Sequence, residues 1–522
     1  MSTHTPTAAP RVLPEEIAAL RTDLTAASYR SATIEQLLGP VAADALRRED
    51  PVPALRVLEG REEPAAVLLR LFTLGAQVPR SLVEGALPSL GVDGARRLGL
   101  LETVPADADG TVRALFDLAP YSASDDAGQI DWWIASDLSE LATGRPLGPE
   151  HVLGVGGASL TLARITPRPR VGRVLDLGCG GGIQALHAAR HAEHVVATDL
   201  SERALAVAAF NAALNGIEVE LRQGSLLEPV AGERFDLIVS NPPFVITPRG
   251  AAEGTTSWTY RDGGRAGDTL LAELLRALPS HLAPGGSAVL LGNWEITAGG
   301  DWDAHPRAWL REAVADGVDA WVLEREQEDP AQYAETWTRD GGVTDRDPGW
   351  AGLIRAWLED FEHRDVERIG FGYLLLRRPT EAPTGPVRPG RLRTEQVPGT
   401  GTGTLSVHLA ETLRALGTLA QLDDAALAAS RPVRAEDVVE RRHLTPGQWD
   451  PMLIELVQGA GFARRVRADQ QLAATVGALD GTLTLAQVVA AVCALTEADE
   501  AETIDRVLPA VREMILTGMV TL

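Results

Sequence analysis

The chain has 522 residues, enough for three or four domains at the usual size, and its apolar and charged fractions are those of ordinary folded protein. No lysine occurs, so all 48 basic residues are arginine; this excludes a Walker-type phosphate loop and any Schiff-base enzyme, each of which needs a lysine amine. A net charge of −24 argues against a nonspecific nucleic-acid coat, and two cysteines, Cys179 and Cys493, are too few for a disulfide scaffold or an all-cysteine zinc site.

No apolar run approaches the ~18 residues that a membrane span requires, and Met1–Glu16 lacks the apolar core of a secretory signal. Together with the cysteine usage this places the expected setting in a reducing cytoplasm, away from membranes. Residues 1–13 are polar and dotted with proline, and read as a disordered leader. From Pro14 to about residue 125 the pattern is mostly helical. Pro64–Ala76 is apolar on a helical period, and Arg80–Leu87 and Val92–Leu98 follow as short helices. Leu100–Val104 and Thr111–Leu118 read as a ribbon around the turn Ala106–Gly110. Short helices followed by a ribbon resemble a winged helix, a module that binds DNA, dimerises or covers a substrate. The acid excess here disfavours DNA.

From residue 126 to 379 strands and helices alternate, the signature of a doubly wound α/β domain. Residues 380–403, with Pro383, Pro386, Pro389 and Pro398, read as a linker. Residues 404–522 read as a second helical, winged-helix-like module, with helices at Leu485–Cys493 and Glu500–Thr517. Dimerisation through the two terminal modules is compatible with this layout.

Within the α/β region, the strand-like run Arg173–Leu177 enters Gly178–Cys179–Gly180–Gly181–Gly182, and a helix over Gln184–Arg190 follows. Glycines there permit a tight turn and let a ligand lie against bare backbone. Asp199 stands 21 residues past Gly178, at the end of a second strand, where a carboxylate can accept both hydroxyls of a ribose. Asp176 precedes the first glycine by two positions; an acid there suits a cationic aminoacid–sulfonium ligand and would repel a pyrophosphate. Asp176 also suits a cap at the strand end, and Asp199 a cap before Ser201. The spacing D-x-G-x-G-x-G resembles motif I of class I S-adenosylmethionine-dependent methyltransferases. That resemblance implies a Rossmann-like sheet with S-adenosylmethionine as cofactor. Asp176 then lies near the methionine amino end, Gly178, Cys179, Gly180 and Gly182 line the cofactor, Asp199 holds the ribose, and Leu200 beside it is a further cofactor contact. Where that family usually offers an acid to the adenine amine, this chain has Ser225 and Leu226, the first able to accept a hydrogen bond and the second able to pack on the ring.

A fourth strand, Phe235–Ser240, runs into Asn241–Pro242–Pro243–Phe244. Adjacent prolines cannot donate to a sheet, so the strand stops there, at the edge where α/β domains bind ligands. A planar NH2 group needs two acceptors and a flat surface. The Asn241 side-chain oxygen and the Pro242 carbonyl supply the acceptors, and Phe244 supplies the surface. The stretch Asn241–Pro248, followed by Trp258 and Arg261–Asp268, resembles HemK-type protein glutamine-N5 methyltransferases. Phe244 and the pair Asn211…Asn215–Gly216 also resemble RsmC-type rRNA guanine-N2 methyltransferases. The resemblance covers roughly residues 150–300. It implies an N-methyltransferase acting on a protein glutamine amide or, alternatively, on an exocyclic amine of an RNA or DNA base. In both families a segment like His151–Leu160 covers the cofactor, with Ser159 near the methionine end.

The remaining features carry blander readings. His187, His191 and His194 fit a solvated helix face better than a metal site, and no metal is expected. Six tryptophans between Trp302 and Trp357 are core candidates on an insertion that could wall the substrate cleft. Arg164, Arg168, Arg170 and Arg173 are the candidate phosphate contacts if the acceptor is a nucleic acid.

Overall fold

The computed structural model describes residues 8–104, 110–125, 127–143, 147–148, 150–248, 264–380, 389–397, 401, 403 and 405–522. The ribbon turn at 106–109, Trp258, Arg261–Gly263 and Arg388 lie outside these. Among the described residues an eight-stranded sheet forms the centre. In chain order its strands are β1 (Val171–Leu177), β2 (Ala192–Asp199), β3 (Glu220–Gln223), β4 (Phe235–Ser240), β5 (Leu282–Thr297), β6 (Asp319–Glu328), β7 (Val366–Arg377) and β8 (Leu392–Gln396). They lie side by side as β8-β6-β7-β5-β4-β1-β2-β3. β7 runs antiparallel to β5 and β6, and the other pairs are parallel. The core strands are apolar on both faces, as strands covered on both sides must be: Val174, Leu175, Ile238, Val289 and Leu290 are fully buried. Strand order grows one way from β1 and the other way from β4, so the crevice between their carboxyl ends is the topological switch point.

The helices that matter for the site are α1 (Gly157–Ile165), α2 (Ile183–Ala188), α3 (Glu202–Asn215), α4 (Thr269–Ala277), α5 (Ala304–Ala315), α6 (Pro330–Asp340), α7 (Trp350–His363) and α8 (Leu405–Leu419). Their ends follow from side-chain chemistry. The Ser201 hydroxyl accepts from Ala204 N–H to start α3, and Gly216 at φ +67° ends it. The Asp329 carboxylate caps α6, with Pro330 at its first position.

The amino-terminal unit has the expected helices, and Leu101–Thr103 pairs with Thr111–Ala114 as a ribbon. Two expectations need correction. Residues 8–13 are not a loose leader: Pro10 is buried and Arg11 N–H bonds the Leu98 carbonyl at 2.8 Å. A boundary at 125/126 cuts a hairpin, because Phe116–Asp125 pairs along its whole length with Gly128–Asp137. That hairpin lies on α3, where the Asn211 and Asn215 amides each exchange hydrogen bonds with strand backbone at Ala135 and Trp133. Arg21 donates to the last turn of α3 through the carbonyls of Ala213 and Leu214.

Residues 380–403 are not simply a linker, since Leu392–Gln396 forms edge strand β8 against β6. The carboxyl-terminal segment is likewise less helical than its sequence suggests. Val438–Leu444, Pro451–Gln458 and Arg465–Ala468 form a three-stranded antiparallel sheet. The first of these strands carries Glu440, Arg441 and Arg442 in a row and exposes nearly every side chain, which hides the alternation that marks a strand. α8 covers one face of the central sheet, packing Leu405, Leu409, Leu413 and Leu416 near Trp321, Leu375 and Phe462. Both cysteines are free and buried, and no helix among the described residues is long and apolar enough to cross a membrane.

Candidate active site

The glycine loop follows β1 at the switch point. Gly178, Gly180 and Gly182 all take positive φ, at +72°, +53° and +83°. A Cβ on Gly182 would meet Ala208 at 3.0 Å, so this glycine lets α2 and α3 approach. A Cβ on Gly178 or Gly180 would meet no described atom within 4 Å. Those two positions therefore face open space with bare backbone, the cradle an aminoacid–nucleoside cofactor needs.

Asp199 closes the cradle from β2. One carboxylate oxygen accepts Gly180 N–H at 2.9 Å and the other accepts Ser201 N–H at 2.8 Å. Each oxygen keeps a lone pair for a hydroxyl. Burial raises the Asp199 carboxyl above the ordinary range, opposed by these N–H donors. Leu200, beside it, is 64% exposed despite its size. Leu153 and Leu160 are also exposed, and the Leu153 carbonyl and Val152 lie over Gly181. The His151–Leu160 segment thus sits above the loop. The Gln184 amide donates to the Ser159 carbonyl at 2.8 Å, pinning α1 to α2. Ser225 and Leu226 follow β3 at the same edge, and Leu226 holds a left-handed φ of +46°, rare for a leucine. The donor set and the open glycines fit S-adenosylmethionine.

Asp176 takes the capping alternative. It is 1% exposed, and its carboxylate accepts Ala185 N–H at 2.8 Å, closing the first turn of α2. Burial, aided by the nearby Asp199 charge, pushes it up to about 7. Cys179 is buried and its thiol is raised by the same desolvation, which leaves it without nucleophile character.

At the end of β4 the Ser240 hydroxyl donates to the Leu177 carbonyl at 2.8 Å, tying β4 to β1 just before the motif. Asn241 follows with its side-chain oxygen buried and without a hydrogen-bond partner among the described residues. Buried acceptors are nearly always satisfied, so this orphan marks a place where a donor belongs. Phe244 meets Trp337 edge-on at 6.2 Å between ring centres. Behind it, Val245 and Ile246 pack with Tyr333, Trp357 and Phe361 of α6 and α7. The tryptophan-bearing insertion between β6 and β7 therefore buttresses the motif. A cleft beside it is lined by Pro243, Phe244, Val245, Asp268, Leu271 and Asn293.

Sequence reasoning missed Asn293 and Tyr333. The available signal was a lone polar residue, Asn293, closing the apolar run Ala288–Leu291 of β5. The histidine reading is also corrected. His187 and His191 are buried: His187 bonds the Tyr121 hydroxyl at 2.9 Å and is pushed down to about 4 by desolvation, and His191 pairs with the Pro169 carbonyl. No cluster suited to a metal occurs among the described residues. Of the arginines, Arg168 pairs with Asp125 at 3.0 Å, Arg173 pairs with Glu233 at 2.6 Å, and Arg164 donates to the Gly401 carbonyl. Arg168 and Arg173 are thus paired with carboxylates, whereas Arg164 and Arg170 are exposed at the surface.

Two family descriptions match the chain: "Domain of unknown function (DUF7059)" over residues 26–115 and "Methyltransferase small domain" over residues 155–256. A release factor glutamine methyltransferase of Cereibacter sphaeroides is 33% identical over 239 residues, 42% of this chain and 83% of that protein. A release factor glutamine methyltransferase of Xylella fastidiosa is 42% identical over 131 residues, 24% of this chain and 47% of that protein. A ribosomal RNA small subunit methyltransferase C of Alcanivorax borkumensis is 34% identical over 125 residues, 24% of this chain and 33% of that protein. The chain thus spans about half the length, or less, of several curated relatives it matches. The Cereibacter alignment runs across most of a relative, and on that ground the chain belongs to the methyltransferase small family of class I S-adenosylmethionine-dependent methyltransferases.

Proposed function

We propose that this protein methylates the side-chain amide nitrogen of a glutamine in a protein substrate. The observation that carries the reading is the buried, partnerless Asn241 oxygen at the carboxyl edge of β4, beside the open glycine cradle. Bound in that cradle, S-adenosylmethionine supplies an electrophilic methyl group. Asp199 would hold its ribose, the Gly178–Gly182 backbone would lie against it, Leu200 and Leu226 would cover its adenine side, and Ser159 would stand near its methionine end.

The acceptor's NH2 has two hydrogens. Asn241 Oδ1 takes one and the Pro242 carbonyl takes the other, while Phe244 limits the tilt of the amide plane. Held so, the nitrogen faces the cradle, and positive charge building on it is met by two preoriented oxygens. Val245, Leu271 and Phe244 give the adjoining cleft an apolar side, and Arg265 and Asp268 give it a charged one.

A second reading, an exocyclic amine of an RNA or DNA base, is favoured by the rRNA-modifying relatives and by Phe244 as a stacking surface. Pairing of Arg168 with Asp125 and of Arg173 with Glu233, together with the net charge of −24, speaks against it, because phosphate contacts draw on cations not already neutralised. The test is labelled methyl transfer to a glutamine-containing peptide and to an RNA oligonucleotide at two salt concentrations. Transfer to peptide with little salt dependence is expected; transfer to RNA that falls steeply with salt sinks the protein reading.

A further inference from the structure

Asn293 is 1% exposed and interrupts the buried stretch of β5, between Leu291 and the buried Trp294 and Ile296; β5 lies next to β4 in the sheet. Ser240 pairs with Leu290, so β4 ends there and Asn241 follows it, while β5 continues to Thr297 with Asn293 three residues past that pair; Asn293 lines the same cleft as Pro243 and Phe244. Its amide nitrogen stands 2.6 Å from the Tyr333 hydroxyl, which also takes Ile246 N–H at 3.0 Å, while its amide oxygen is buried without a partner among the described residues.

This arrangement is chemically incomplete. A hydroxyl has one proton and two lone pairs, so a Tyr333 oxygen serving two donors leaves its own proton unplaced. Burial raises the Tyr333 hydroxyl, so that proton stays. A separation of 2.6 Å is short for N–H···O and ordinary for O–H···O. Exchanging the amide oxygen and nitrogen of Asn293, which have nearly the same shape, resolves both faults. Tyr333 then donates to Asn293 Oδ1, and the NH2 group takes the buried, partnerless position. The site gains a donor that needs an acceptor from outside the chain.

We propose that Asn293 is a specificity-determining residue, presented by Tyr333, whose amide N–H binds the carbonyl oxygen of the acceptor carboxamide while Asn241 and Pro242 take its NH2. A primary carboxamide has that complement: two donors on nitrogen and an acceptor oxygen two bonds away. A positively charged amine has no such oxygen and leaves the Asn293 donor unmet, so the pocket selects against lysine side chains. This assignment rests on the glutamine reading given above.

The test uses the full chain loaded with S-adenosylhomocysteine and titrated with N-acetylglutamine N-methylamide at pH 8, followed by amide chemical shifts. Wild type is compared with Asn293→Ala and Asn293→Asp. Aspartate keeps an oxygen toward Tyr333 and has no N–H, so it separates the donor from the brace. A roughly ten- to hundredfold rise in the Kd for the glutamine probe is expected in both variants, with the Kd for S-adenosylhomocysteine unchanged. Unchanged probe affinity in a folded variant that still methylates glutamine overturns the assignment and leaves the glutamine reading standing. A wild-type protein that methylates RNA and neither binds nor methylates the glutamine probe overturns both.

Discussion

In the proposed site Asn241 and Asp199 would divide the work while Asp176 caps α2 behind them, and each gives a different experimental signature. In the proposed site Asn241 would face the acceptor, so Asn241→Ala is expected to leave cofactor affinity near normal and to lower turnover roughly 100- to 1000-fold, as loss of one preoriented polar group does. Stopped label-transfer assays with matched cofactor titrations check this. In the same proposal Asp199 would hold the cofactor ribose, and Asp199→Ala is expected to weaken S-adenosylmethionine binding by about 1.5–3 kcal/mol by calorimetry. Its bonds to Gly180 and Ser201 show why the loss would extend to loop order. Asp176 is raised to about 7 in the fold from an ordinary value of ~4. Its folded form holds its proton more tightly than the unfolded form, so its contribution to stability declines as pH rises from ~4 to about 7. Asp176→Asn keeps an acceptor for Ala185 N–H and removes the titration. Denaturation across that window is expected to show the variant gaining on wild type as pH rises; parallel curves would refute the raised carboxyl. These acids and the Asn241 motif were legible in the sequence because their signal is local, a few residues around a strand end. Asn293 and Tyr333 were not, because their meaning arises only when positions 40 apart in the chain share one hydrogen bond.

At the scale of elements, α3 joins the amino-terminal unit to the cradle. The Asn211 amide bonds Ala135 on the hairpin strand in both directions and also donates to the Gly181 carbonyl at 2.9 Å. Asn211→Ala leaves several buried backbone groups unmet and is expected to cost about 2–4 kcal/mol in chemical denaturation, from a pair or more of such losses. A weaker cofactor affinity should accompany it, since the Gly181 turn loses its tether; normal affinity would show that the hairpin and cradle are independent. The doubly wound core could be read from apolar runs and glycine punctuation. β8 could not, because Pro389, Pro398 and their neighbouring glycines mask five residues of edge strand. The polar strand Val438–Leu444 was missed for the opposite reason, having too few apolar side chains to show a period. The insertion of α6 and α7 was seen as a tryptophan-rich stretch, and its packing behind Val245 and Ile246 gives those rings their place.

For the whole molecule, charge and architecture point the same way. The net charge is −24, and Arg168 and Arg173 are paired to carboxylates, both of which weigh toward the proposed protein acceptor. The two terminal units are seated on the catalytic sheet: α8 covers one face, Arg464 and Arg393 reach Glu395 and Glu513, and the amino-terminal helices lean on α3. These contacts hold the terminal units against the sheet face, its β8 edge and α3. The measurement that tests the central claim most directly is transfer of labelled methyl from S-adenosylmethionine into cell lysate, with the product divided between protease and nuclease digestion. The expected result is protease-sensitive label that hydrolyses to N5-methylglutamine and vanishes with Asn241→Ala. Label that is lost to nuclease and retained through proteolysis would contradict the account.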